Sequence, residues 1–136
     1  MNKELYEILA ADIEVLDNTF KYKSLCKTKK YYQAIRRRVR RMYYSKKHPG
    51  FRFVYWLRIS RFSKKWTFFG FLSRFLFRYY SKKFQVRISC KEIGKGLHIA
   101  HVNCYINAEK IGDYFTIYQG ATIGFDRGGF LSLATM

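Results

Sequence analysis

Proline occurs once and cysteine three times in 136 residues, and nine acidic residues stand against 27 Lys and Arg. Between residues 18 and 87 there is no acid at all. Cys26, Cys90 and Cys104 form neither a CxxC pair nor an even set, which excludes a disulfide framework and fits a reduced, cytosolic chain. The uncharged apolar stretch Trp66 to Ser73 is eight residues long, against the ~18 or more that a membrane span requires. The first thirty residues carry Glu4, Glu7, Asp12, Glu14 and Asp17 instead of the apolar core of a signal peptide. A cytoplasmic location is therefore expected, extending to peripheral contact with the inner membrane surface. No Pro/Gly/Ser-rich linker divides the chain, so one domain is expected.

What is abundant is positive charge and aromatic surface. The hydrophobic fraction is 49%, the aromatic fraction 20% and the formal net charge +18. Such a field selects anionic partners: nucleic acid, phosphate-bearing cofactors or acidic lipid. Residues 1–17 read as an amphipathic helix with Leu5, Ile8, Leu9, Ile13 and Leu16 on its apolar side. Residues 18–87 hold 22 of the basic residues and 20 of the aromatics, and read as helices broken at His48-Pro49-Gly50. Arg36, Arg37, Arg38, Arg40 and Arg41 form a cationic cluster before the break. Around 66–80, Phe68, Phe69, Leu72, Phe75, Leu76 and Tyr79 make an apolar stripe, with Arg74, Arg78 and Lys82 on another face. That stripe is expected to dock on the domain itself, with an interfacial membrane helix as the alternative. Nucleic acid is the weaker partner, because no helix-turn-helix, zinc-finger or RNP signature accompanies the charge.

The last block has a different rhythm. Positions 93, 99, 105, 111, 117 and 123 are Ile, Ile, Tyr, Ile, Ile and Ile, with Gly94, Ala100, Gly112 and Gly124 each following a repeat position. A helix would drift off one face at this spacing, since six residues turn it about 600°. A parallel β-solenoid accounts for the recurrence: each hexad gives a short strand and a turn, the aliphatic points inward, and the small residue turns the corner. An ordinary sheet with chance alternation is the competing reading.

The stretches FQVRISCKEIGKGLHIAH (84–101) and INAEKIGDYFTIYQGATIG (106–124) resemble hexapeptide-repeat acyltransferases, in particular serine acetyltransferases and the O-acetyltransferases of capsule and polysaccharide pathways. PGFRFVYWLRISRF (49–62) is similar to the helical lead-in of the polysaccharide-associated members. The resemblance implies an α+β chain. A basic, aromatic-rich helical region would occupy 1–84, a short left-handed parallel β-helix 85–125, and a loop and tail 126–136. It implies acetyl transfer from acetyl-CoA to a sugar or glycan hydroxyl, or to serine, with His101 as the general base, and it implies a homotrimer. A neutral imidazole within reach of the acceptor hydroxyl is what such a step needs. The family's orienting aspartate is matched here by Arg87, and the aspartate directly before the histidine by Ala100. Both departures favour a sugar or glycan hydroxyl over L-serine.

DRGG (126–129) is similar to the loop that precedes a further coil in such enzymes, whereas this sequence closes on FLSLATM. The expectation is a C-terminally truncated relative, which keeps an inactive remnant in view beside the enzyme. A basic module binding membranes or nucleic acid through 18–87 is the third reading. Other signals carry less. His98 and His101 form H-x-x-H, but residues three apart on a strand point to opposite faces, so no metal site is expected. His48 reads as a solvated turn residue. Ser24 and Lys27 satisfy S-x-x-K without its companion motifs. Cys104 reads as a buried thiol.

Overall fold

In a computed structural model of the chain, residues 2–17, 29–124 and 132–133 are described. Helix α1 spans Lys3–Leu16 and starts at Asn2, whose side chain accepts a hydrogen bond from the Glu4 N–H at 3.1 Å, filling one of the orphan donors of the first turn. It buries Leu5, Leu9 and Ile13 as its spacing predicts, with Ile8 and Leu16 only half-buried. Helix α2 (Lys29–Tyr44) buries Tyr31, Ile35 and Met42 and leaves Arg36, Arg37, Arg40 and Arg41 exposed. Helix α3 (Gly50–Phe62) begins at the proline break, where a proline φ of −62° already suits a helix start. Helix α4 (Phe68–Phe84) is capped by Thr67, whose hydroxyl accepts from the Gly70 N–H at 3.1 Å.

Short strands follow: β1 (Val86–Ser89), β2 (Glu92–Ile93), β3 (His98–Ile99), β4 (Cys104–Asn107), β5 (Lys110–Ile111), β6 (Thr116–Ile117), β7 (Thr122–Ile123) and β8 (Ser132–Leu133). They pair in parallel in three small sheets, ordered β1-β4-β7, β2-β5-β8 and β3-β6. In register, Ile88 lies beside Ile106, Ile93 beside Ile111, and Ile99 beside Ile117.

Two expectations are corrected. The short left-handed parallel β-helix expected over 85–125 is not found. Among the described residues, four helices are followed by short parallel strands in separate small sheets, and only the mixed α+β character remains. Strands of two to four residues supply few ladder bonds. Phe53, Val54 and Leu57 of α3 share one core with Ile88, Ile99, Ile106, Ile111 and Ile117, so the strands are packed together with a helix. The second correction is to the hexad register. Tyr105 is half-buried while its neighbour Ile106 is fully buried, and Ile123 pairs with Ile106. The extra residue is taken up just before β4, where Asn103 adopts the left-handed conformation at φ 66°, which asparagine tolerates better than most residues.

Helix α3 joins two cores. Its Phe51 belongs to the cluster formed with α1 and α2, through Tyr6, Ala10, Ile13, Ile35 and Met42. At the same junction lies a buried ion pair. Asp12 and Arg58 meet through two hydrogen bonds of 3.0 Å, at 0% and 2% exposure. Asp12 Oδ1 also accepts the Leu97 N–H at 2.8 Å, and Arg58 donates to the carbonyls of Ile93 and Gly94. Burial pushes the Asp12 carboxyl up, opposed by the guanidinium and by backbone N–H groups of Leu97 and Gly96.

Candidate functional site

The three histidines of the chain converge where the start of α3 meets β3. Gly50 is what allows the approach: a Cβ there would stand 2.5 Å from the Ile99 carbonyl oxygen, closer than any side chain permits. The backbone on the strand side is fixed, since the His98 N–H donates to the Phe115 carbonyl at 2.9 Å and the Ala100 N–H to the Ile117 carbonyl at 3.0 Å. His48 lies directly before the helix start, half-buried. His98 is half-buried on β3, and His101 is exposed in the turn that follows.

Electrostatics tie the three together. Burial holds the His98 imidazole below its ordinary pKa, and the charges of His48 and His101 add to that push. His98 is accordingly held towards its neutral form. Strand alternation predicts His98 and His101 on opposite faces, and His48, expected as a solvated turn residue, is half-buried instead. The chain leaves strand geometry directly after Ile99, so strand alternation does not extend to residue 101. Among the described residues, no group of three or more His, Cys, Asp or Glu side chains is arranged to hold a metal ion.

Two residues beyond His101, Asn103 lines a cleft of about 430 Å³ between the end of α4 and the sheet edge. Lys82 and Arg87 supply cations to its wall, Ser81, Gln85 and Tyr105 supply polar groups, and Gly120 and Thr122 close the far side. Arg87 thus stands on the exposed face of β1, opposite Tyr105. Ala100 serves the β3–β6 ladder through its backbone. Among the residues discounted from sequence, Cys104 is buried and its thiol is pushed up, so it stays protonated rather than nucleophilic. Cys26 and the Ser24–Lys27 segment lie outside the described residues, as does DRGG.

A second concavity, of about 530 Å³, opens among the helices. Tyr6, Arg36, Arg40, Tyr43, Tyr44 and Trp56 line it. Internal bonds already organise its wall: Arg36 Nε donates to Tyr6 Oη at 2.5 Å, and Trp56 Nε1 donates to Tyr43 Oη at 3.0 Å. Nothing in the sequence pattern singled out this wall beyond its arginines, because its aromatics come from three separate helices.

No protein-family model, curated protein or solved structure matches the chain.

Proposed function

We propose that the chain transfers an acetyl group from acetyl-CoA to a sugar or glycan hydroxyl, with His101 as general base. The observation that supports this reading best is the grouping of His48, His98 and His101 where α3 meets β3, with Lys82 and Arg87 in a cleft that Asn103, two residues beyond His101, also lines. The likeness of GLHIAH to the acetyltransferase segment supports the same assignment. An exposed imidazole can reach an incoming hydroxyl and take its proton as the oxygen attacks the thioester carbonyl. The tetrahedral adduct then expels the CoA thiolate, which recovers the proton from the imidazolium. A neutral His98 serves this step by adding no positive charge beside the imidazolium that forms. Lys82 and Arg87 suit the phosphates of CoA, which is polyanionic.

Release of free CoA from acetyl-CoA in the presence of sugar and glycan acceptors tests the proposal. His101→Ala is expected to lower acceptor-dependent release about 10²- to 10⁴-fold, the usual worth of a positioned base. Equal release by the wild type and His101→Ala overturns it.

A further inference from the structure

The apolar stripe of α4 does not pack on the protein. The helix docks through Gly70, Ser73, Phe77, Tyr80 and Phe84, against α3 and the strand core. Five other aromatics, Phe68, Phe69, Phe71, Phe75 and Tyr79, are exposed on the rest of its surface. Phe68 is 83% exposed, Phe71 70% and Phe75 60%, and Trp66 just before the helix is 99% exposed. A contiguous aromatic face of this kind on a protein surface marks a site of contact with something apolar.

Charge narrows the choice of occupant. Lys64 and Lys65 flank Trp66 at one end, while Arg78 and Lys83 flank Tyr79 at the other, all exposed. Lys83 Nζ lies 5.7 Å from the centroid of the Tyr79 ring, the arrangement of a cation over an aromatic face. No carboxylate occurs on α4 or anywhere from 18 to 87. Two copies of this face would bring cations together, so self-association opposes its own electrostatics. A surface that is apolar beneath and anionic on top satisfies both features at once. We propose that the outward face of α4, with Trp66, seats the protein on an anionic membrane surface, the aromatics entering the headgroup boundary and the flanking cations meeting lipid phosphates. Among the described residues no helix is long and apolar enough to cross a membrane, so the helix lies in the interface plane. This inference is independent of acetyl transfer.

Sedimentation with vesicles of phosphatidylcholine, alone or mixed with phosphatidylglycerol, tests it on the full chain. Binding is expected only with the anionic lipid and is expected to fall as salt rises. Phe68→Ser/Phe71→Ser/Phe75→Ser should weaken binding about tenfold or more, because the apolar contribution is lost. Arg78→Glu/Lys83→Glu should also weaken it, whereas Arg37→Glu/Arg40→Glu/Arg41→Glu on α2 should retain most of it. Should the triple serine variant fail to fold, Trp66 reports instead. Its emission, isolated as the difference from Trp66→Phe, should shift to the blue and be quenched by brominated lipid. Undiminished binding by a folded triple serine variant overturns the proposal. So does loss of binding only in the α2 variant, an unquenched Trp66, or a serine variant that only turns an oligomer into a monomer.

Discussion

Asp12 lies on the apolar stripe of α1, between Leu9 and Ile13, where a carboxylate has no place unless a partner awaits it. The partner is Arg58, 46 residues later, and the pair is sealed from water. Removing one member leaves the other charged and buried, so Asp12→Ala should cost about 3–5 kcal/mol, read as a fall in the denaturant midpoint. Replacing both residues with apolar side chains of similar volume should restore much of that loss. Gly50 is a second residue whose identity is dictated by closeness. Gly50→Ala places a methyl group against the Ile99 carbonyl and should cost about 1–3 kcal/mol through overpacking. Because His48 and His98 straddle this contact, the same variant should disturb any activity that depends on His101.

Among the elements, the strands offer the sharper test of register. Ile106→Ala empties a fully buried position and should cost about 2–5 kcal/mol, whereas Tyr105→Ala, at a half-buried place on the other face, should cost much less. The repeated aliphatics at 93, 99, 111 and 117 were legible in the sequence because each does face the core. Position 105 misled because the turn at Asn103 absorbs one more residue than the period allows, and a period carries no information on left-handed turns. The helices were legible from spacing and from the single proline. The outward stripe of α4 was visible as a stripe, but not its direction: Gly70, Ser73 and Phe77 make the packing face, and small residues leave little hydrophobic signal. The histidine cluster was half legible. His98 and His101 are neighbours in sequence, but His48 arrives only through the docking of α3 on β3, which no local pattern encodes.

For the molecule as a whole, the depressed His98 pKa becomes a dependence of stability on acidity. The unfolded chain takes up a proton at this side chain near pH ~6.5, more readily than the folded chain, which buries it beside two other histidines. The contribution is therefore fully present above that pH and is lost as pH falls through the lower folded-state value. Denaturant midpoints should drop on going from about pH 7.5 to about pH 5.5, and His98→Asn should flatten the change. The shared cores and the Asp12–Arg58 bonds also bind the first helix, α3 and the strand region into one cooperative body. The Leu97 N–H donates a hydrogen bond to Asp12 across 85 positions of sequence. In deuterated solvent that single proton becomes a clock, keeping time with the lifting of the first helix rather than with fraying of the short strand that follows it. A peptide carrying Leu97 should thus gain mass only as fast as the N-terminal helix detaches, and deleting that helix should set the clock running from the start.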